Sequence, residues 1–365
     1  MAALVLLLVA VISIGATAIQ DVPSICRQID QHLPGRISYP DGPAYNESQS
    51  SYYSGQESDL QPGCIFQPRD TIEVSQFVKL IGGGHGAPAS QFAVRSGGHT
   101  IWGGAANIDG GITVDLRCLN TLTVSADRKV ASIGAGVVWS DIYPQLVPQN
   151  LTVMGGRVSG IGVGGFTTGG NPALSRSSPS RYSARVALHQ ANHQTGGISY
   201  LARRHGWACD NVYGYEVVLA SGEVVYATAA PSPHADLWLA LKGGSNNFGI
   251  VTRFDVAAFP QGPMWGASLA FNYTREVLEA QAAAFARFMD PGNFDDAADM
   301  GMALVFAGGT YVVGDSLYYT EPVENPAVYR PFTDMSGRIS GQSRLDSVAA
   351  FVGEVNGTLP ADTRR

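Results

Sequence analysis

The sequence predicts an α+β fold divided between two domains. Its 365 residues, 45% of them hydrophobic, can bury a sizeable core and would normally divide into two domains. From Cys64 onward, segments with the alternation of strands are interleaved with segments of helical periodicity. The composition then changes after Pro260-Gln261-Gly262-Pro263, a run of turn-forming residues, and we place the domain boundary there.

Each predicted element rests on the spacing of its apolar residues. Helical periodicity predicts helices over Thr71–Leu80, Val138–Leu146 and Asp236–Leu241. Alternation and short apolar runs predict strands over Phe92–Val94, Ile112–Leu116, Val130–Ile133, Val217–Leu219, Val224–Ala227, Met302–Phe306 and Ser316–Tyr319. The turn Ala220-Ser221-Gly222-Glu223 predicts a hairpin between the strands on either side of it.

The N-terminus has the pattern of a signal peptide. Ala2–Ile14 is apolar and uncharged, and Ala16-Thr17-Ala18 is a small-residue pattern that signal peptidase accepts, which predicts cleavage after Ala18. A membrane anchor is the alternative, but about 13 apolar residues fall short of the roughly 20 that span a bilayer. We therefore expect residues 1–18 to be removed, residues 19–63 to form an N-terminal arm, and the protein to be secreted.

Asn-x-Ser/Thr sequons agree with secretion and predict a glycoprotein, although each triplet alone is a weak signal. Their asparagines are Asn46, Asn150, Asn272 and Asn356.

Secretion also bears on the cysteines, which are Cys26, Cys64, Cys118 and Cys209. In an oxidising compartment at least one disulfide is expected, and the sequence alone leaves three pairings open. Cys118 and Cys209 lie in apolar stretches with no histidine or carboxylate at metal-ligand spacing, so we expect buried thiols rather than metal ligands.

The charge balance favours a small-molecule partner. Charged residues make up only 15% of the chain and the formal net charge is −7, so the sequence offers no basic surface for nucleic acid. No later apolar run is long enough to span a membrane. We therefore expect a small molecule as the partner, and neither nucleic acid nor a membrane.

Arg95-Ser96-Gly97-Gly98-His99 is the most informative motif in the chain. Two adjacent glycines let backbone N–H groups approach an anion without obstruction by a Cβ atom, and Arg95 adds positive charge. His99 lies where its imidazole could capture a bound ring system, which indicates a tethered flavin. A lone histidine in such a place is often only a loop residue bonded to a carbonyl, and the motifs that accompany His99 favour the flavin instead.

A second glycine-rich run extends from Gly155 to Gly165. Within it, Gly160-x-Gly162-x-x-Gly165 matches the dinucleotide fingerprint of a Rossmann unit. That fingerprint requires a long following helix and an acidic residue about 20 positions on. Because Phe166-Thr167-Thr168-Gly169-Gly170 continues as a glycine-rich loop, we favour a flavin-domain loop over a nicotinamide site.

Together these motifs resemble the FAD-linked oxidoreductases of the vanillyl-alcohol-oxidase and berberine-bridge-enzyme-like family. The order and spacing of the landmarks between Cys64 and Pro260 carry the resemblance. They are Arg95 to His99, Asn107 to Gly111, Asp115-Leu116, Gly134 to Gly136, Gly155 to Gly165, Asp210 to Val212, and Gly243 to Thr252. The resemblance implies a PCMH-type FAD-binding domain of two α+β subdomains over residues 64–260, followed by an antiparallel-sheet substrate domain.

The same resemblance implies FAD as cofactor, bonded covalently from His99 to the flavin 8α-methyl carbon. Family members that attach the flavin twice place a cysteine where Val158 stands, so a single tether is implied. Among the cysteine pairs, the resemblance favours a disulfide between Cys26 and Cys64. The implied cofactor-binding residues are Arg95, Ser96, Gly97, Gly98, His99, Gly136, Gly156, Gly162, Gly164, Gly165, Gly170, Gly249, Ile250 and Val251.

The implied activity is that of an FAD-dependent oxidase. A base removes a proton from a substrate hydroxyl, hydride passes to the flavin, and dioxygen re-oxidises the cofactor to give hydrogen peroxide. Substrates of the family include alcohols, sugars, phenols and natural-product intermediates, and the sequence does not choose among them.

Residues 171–196 depart from the family pattern. Family members run directly from the glycine turn into a segment like Gly197-Ile198-Ser199-Tyr200-Leu201. One interpretation is a retained intron translated in frame, because Gly170-Asn171 permits a donor-like string and Thr195-Gly196 an acceptor; the other is a surface insertion. Sequencing the message across residues 165–200 distinguishes the two.

Two histidines in this segment, His189 and His193, have the i, i+4 spacing of zinc ligands. No partner ligands accompany them, so we predict no metal site.

Residues 261–365 give only the opening of a substrate domain. In the family this domain is followed by a tail that returns to complete the flavin site and supplies catalytic groups, and we expect this chain to be truncated before it. The catalytic residues are therefore unassigned. A non-enzyme alternative is a truncated or wrongly assembled gene product that folds poorly and binds no flavin.

Overall fold

The computed structural model describes residues 22–82, 91–169, 197–307 and 309–354. Several predictions lie outside the described residues. They concern the signal peptide, Gly170, the segment 171–196 with His189 and His193, and the sequon at Asn356.

Within the described residues, the first sheet has four strands. They are β1 (Ile37–Ser38), β2 (Cys64–Phe66), β3 (Phe92–Arg95) and β4 (Ile112–Asp115), in the order β1–β2–β4–β3. β4 is parallel to both β2 and β3, whereas β1 is antiparallel to β2. Because β3 and β4 are parallel, their carboxyl ends lie at one edge of the sheet, and the loop that carries Gly97 and His99 starts at that edge.

The helices beside this sheet are α1 (Val22–His32), α2 (Pro43–Ser50), α3 (Gly55–Ser58) and α4 (Thr71–Ile81). α4 begins where the Asp70 side chain accepts a hydrogen bond from the Glu73 N–H, a standard N-cap, and buries Val74 and Phe77. Helical periodicity predicted this helix to within one residue. A disulfide joins Cys26 of α1 to Cys64 of β2 with a Cα–Cα distance of 6.2 Å, which confirms the favoured pairing.

The second sheet is built around its longest strand, β10 (Ile250–Pro260), which pairs antiparallel with three other strands. The others are β5 (Leu122–Val124), β6 (Val130–Gly134), β7 (Leu151–Val153), β8 (Val212–Val218) and β9 (Val224–Thr228). The main path runs β5–β6–β10–β8–β9, with β7 beside β10. β8 and β9 form the predicted hairpin, and Gly222 in its turn has a φ of 77°.

Short helices connect these strands. They are α5 (Trp139–Leu146), α6 (Val163–Thr168), α7 (Ala202–His205) and α8 (Ala235–Ala240).

A third sheet follows, antiparallel throughout, in the order β12–β13–β11–β14. Its strands are β11 (Met264–Asn272), β12 (Ala298–Ala307), β13 (Thr310–Tyr319) and β14 (Arg338–Asp346). Alternate residues of β11 face α9 (Arg275–Phe288), among them Trp265, Leu269 and Phe271. Their side chains form the core of this unit. Two short helices complete it, α10 (Arg330–Thr333) and α11 (Val348–Glu354).

In the part of the chain that the structure describes, the hydrophobic interior forms two clusters. One spans the first two sheets, and the other lies between the third sheet and α9. α11 returns from the third sheet and buries Phe351 and Val352 in the first cluster. The α+β class with an antiparallel third sheet is confirmed.

One expectation about the cysteines is wrong. Cys118 is exposed, because the 3₁₀ turn Leu116–Cys118 after β4 directs Leu116 into the core and Cys118 outward; Cys209 is buried as expected. Among the described residues, no helix combines the length and the hydropathy needed to cross a bilayer.

Candidate functional site

A cavity of about 730 Å³ is bordered by residues of β3, β8 and β10. Ligand sites are commonly about 300–1,000 Å³. Most of the predicted cofactor-binding residues lie in its wall. They are Ser96, Gly97, Gly98, His99, Gly162, Gly164, Gly165, Gly249, Ile250 and Val251.

The two glycine motifs meet in this wall, backbone against backbone. A Cβ atom at Gly97 would lie 2.5 Å from the Gly162 nitrogen, and one at Gly162 would overlap the Gly97 nitrogen. Ser96 ties the two loops, since its Oγ donates to the Ala135 carbonyl at 2.6 Å and accepts from the Gly164 N–H at 3.1 Å. The result is a surface of main-chain groups without side chains, which suits a phosphate.

His99 lies in the same wall, directly after this surface. Its ring stacks on that of Tyr53, with centroids 3.8 Å apart and planes 15° apart. Among the described residues, nothing hydrogen-bonds to its buried Nε2. Burial lowers the pKa of His99, so the imidazole is neutral at neutral pH and keeps a nucleophilic lone pair.

Arg95 does not fit its predicted role as a phosphate ligand. It is fully buried, and its guanidinium donates to the carbonyl oxygens of Ser48 at 2.6 Å and Ser51 at 2.9 Å. It also lies over the Tyr52 ring and beside Asp115, its register partner on β4. Strand alternation explains the correction, because Ala93 and Arg95 share the buried face of β3 while Ser96 reaches the cavity.

Two predicted glycines lie behind the wall rather than in it. A Cβ atom at Gly136 would overlap the Leu116 carbonyl, and one at Gly156 would lie 2.7 Å from the Trp139 ring. Neither residue borders the cavity, so in this structure both serve close packing. Gly170 lies outside the described residues.

Arg157 is a cavity residue that sequence reasoning missed. Its guanidinium donates to the Asp299 carboxylate of β12 at 2.8 Å, which links the second glycine run to the third sheet. A charged residue inside a glycine run was the available signal.

Tyr200 and Tyr318 extend the same contact. Their rings lie 4.4 Å apart, and the Tyr200 hydroxyl approaches the Arg157 carbonyl at 3.4 Å. Burial raises the pKa of Tyr200, so its hydroxyl is protonated at neutral pH and is not a base there.

The chemistry of the wall fits FAD. A main-chain surface suits the diphosphate, and a neutral imidazole whose Nε2 is hydrogen-bonded by no described residue suits a tethered ring. Among the described residues, no cluster of His, Cys, Asp or Glu could hold a metal ion.

Comparison with known proteins gives an independent line of evidence. A family of FAD binding domains matches residues 62–181. The FAD-dependent monooxygenase tpcD of Cochliobolus heterostrophus is 33% identical over 341 residues, which are 91% of this chain and 59% of that protein. The FAD-dependent monooxygenase FUP4 of Fusarium proliferatum is 35% identical over 323 residues, 87% of this chain and 56% of that protein. The chain thus spans less than two thirds of the length of these relatives.

A solved structure shows the same fold. The glucooligosaccharide oxidase of Acremonium strictum, with its 6-S-cysteinyl, 8α-N1-histidyl FAD, superposes with a TM-score of 0.69 at 18% sequence identity. The match covers 93% of this chain and 64% of that one. At this identity the likeness shows the fold alone.

Proposed function

This chain belongs to the FAD-linked oxidoreductases of the vanillyl-alcohol-oxidase and berberine-bridge-enzyme-like family, and we propose that it is a secreted oxidase of small molecules whose FAD is bound covalently through His99. Its substrate is an alcohol, a sugar, a phenol or a natural-product intermediate. Dioxygen is the electron acceptor. Nucleic acid and membranes have no part in the activity.

The observation that carries this proposal is the position of His99. A neutral imidazole with a buried Nε2 borders the cavity one residue after Gly98, where the two glycine loops meet. Hydrogen-bonded histidines are common in loops, but here no described residue bonds to Nε2. Covalent attachment to the cofactor gives the ring a partner.

FAD, when bound, supplies the acceptor for a hydride removed from the substrate. Gly97, Gly98 and Gly162 would hold its diphosphate through main-chain groups, because no Cβ atom obstructs them. Arg157, fixed by Asp299, places a permanent positive charge in the wall. Tyr200 stays protonated, so it can donate a hydrogen bond but cannot remove a proton at neutral pH.

Covalent attachment has a direct test. Protein precipitated with acid should stay yellow, and the peptide that contains His99 should carry the mass of the flavin. His99→Ala should keep the fold, weaken retention of the flavin and slow turnover. A colourless pellet from folded, active protein would refute attachment.

A monooxygenase is the second candidate, because both curated relatives are named FAD-dependent monooxygenases. Turnover of alcohols, sugars and phenols under ¹⁸O₂ separates the two. An oxidase returns the label in hydrogen peroxide, one equivalent for each substrate oxidised. Label in the organic product would instead establish the monooxygenase.

A further inference from the structure

The N-terminal arm encloses the loop that carries His99. The Tyr53 N–H donates to the Gly98 carbonyl at 3.1 Å, and the Ser54 Oγ donates to the Thr100 carbonyl at 2.9 Å. These two bonds hold the backbone on either side of His99. The arm therefore supports, from outside the cavity, the loop that forms this part of the cavity wall.

Tyr53 also fixes the imidazole itself. Its ring lies nearly parallel to that of His99 at a centroid distance of 3.8 Å, so the two rings are stacked face to face in van der Waals contact. Among the described residues, no side chain hydrogen-bonds to Nε2, so no such bond sets the rotation of the ring from that side. The stacking contact limits that rotation to orientations parallel to Tyr53.

We propose that Tyr53 is a positioning residue for covalent attachment of the flavin, holding the His99 ring in the orientation that meets the 8α-methyl carbon. This inference rests on the proposed attachment at His99. Attachment forms a bond between that carbon and a ring nitrogen of His99, and breaks one C–H bond of the methyl group and one N–H bond of the imidazole. Two electrons and both hydrogens pass to the flavin ring, and dioxygen then removes them as hydrogen peroxide.

The expected consequence is a kinetic one. Misplacement of a reacting group by about 1 Å can cost about a hundredfold in rate. Tyr53→Ala should therefore bind FAD but attach it more slowly, by about tenfold to a hundredfold. Tyr53→Phe keeps the stacked ring and should attach FAD at the wild-type rate.

The experiment adds FAD to apoprotein of the full chain and follows covalent flavin by fluorescence after denaturing electrophoresis. Dissociation of non-covalent FAD and the melting temperature are measured on the same samples. Tyr53→Leu keeps apolar bulk without a flat ring and serves if Tyr53→Ala fails to fold. Tyr39→Ala, on the same arm and 38% exposed, is the matched control.

Slow attachment in folded Tyr53→Ala or Tyr53→Leu, together with rescue by phenylalanine, supports the role of Tyr53. Attachment at the wild-type rate in the folded alanine and leucine variants overturns it, while leaving attachment at His99 intact. A wild-type protein that never forms the bond refutes the proposed attachment itself, and the role of Tyr53 with it.

Discussion

Asp315 is a buried carboxyl group whose hydrogen bonding is incomplete. Its Oδ2 accepts from the Gln281 amide at 2.7 Å inside the core of the third sheet. Among the described residues, its Oδ1 and the Gln281 Oε1 have no partner. Burial raises the pKa of Asp315, so the folded state favours the protonated acid, whose proton can satisfy one of these oxygens.

The raised pKa of Asp315 decides how the stability of the protein changes with pH. An acid with a raised folded pKa contributes stability below its unfolded pKa, and this contribution is lost as the pH rises through the folded value. Asp315→Asn should therefore stabilise the protein at pH 7 by about 1–3 kcal/mol, the usual cost of an unsatisfied buried polar group. The gain should shrink toward pH 4.

Thermal melting at both pH values measures this effect. Asp334→Asn, an exposed carboxylate in the same unit, serves as the control. A lower melting temperature for Asp315→Asn at pH 7 would show that the charged acid is satisfied in the fold.

Single residues also show where sequence reasoning reached its limit. Gly97, Gly98, Gly162 and Gly164 lie in the cavity wall, and their contact with a diphosphate stays a prediction. Gly136 and Gly156 lie behind the wall, because a missing side chain serves close packing as well as ligand approach. Arg95 was misplaced because a guanidinium can face either side of a strand, and its residue type does not say which. Tyr53 was not identified, because it precedes His99 by a long stretch of chain and only the fold brings them together.

At the scale of loops and helices, the contact between the two glycine motifs gives a sharp prediction. Gly162→Ala should destabilise the apoprotein by about 2–3 kcal/mol and reduce FAD binding, because its Cβ atom would overlap the Gly97 backbone and force the two loops apart. Gly165→Ala is the matched control for the stability of the apoprotein. It lies three residues away, in α6, and its Cβ atom would meet nothing within 4 Å.

Gly165→Ala should leave the apoprotein as stable as wild type, or more stable by up to about 1 kcal/mol, because alanine favours helices. Denaturant titration of both apoproteins and FAD titration by fluorescence are the measurements. Equal stability of the two variants would mean that the loops separate easily.

Elements were predictable where their own apolar pattern was strong. The helix at Thr71–Ile81 and the hairpin around Gly222 were placed to within a few residues. β11, β14 and α9 were not identified, although β11 and α9 form the core of the third sheet. Small and polar residues in β11 and β14 weaken the alternation, and pairing with neighbouring strands stabilises these two strands instead. In α9 the buried face includes Gln281 and Ala284 between Val277 and Phe288, so its apolar stripe is interrupted.

In the whole molecule, the second glycine run and the third sheet are tied by polar contacts. Arg157 pairs with Asp299, and Tyr200 packs against Tyr318. The expected boundary after Pro260 stays a prediction, although β10 ends at Pro260 and β11 begins at Met264. The change in composition predicted where the domain boundary lies, but composition does not predict contacts between distant segments.

The sequons on the surface of the molecule allow a test of the predicted glycosylation and secretion. Asn46, Asn150 and Asn272 are all exposed, so each sequon is accessible to glycosylation. Protein secreted from a eukaryotic host should shift to lower mass after treatment with an N-glycosidase. Each Asn→Gln substitution should remove one step of that shift. Secreted protein whose mass is unchanged by the enzyme would contradict glycosylation at these sites.

Trp102 borders the cavity and is 66% exposed. Indole emission overlaps flavin absorption, so a flavin bound beside Trp102 should accept its excitation energy and quench its emission. The emission intensity of Trp102 then reports whether flavin occupies the cavity, before any substrate is known. Trp102→Phe should remove that part of the quenching and assign the signal to this wall.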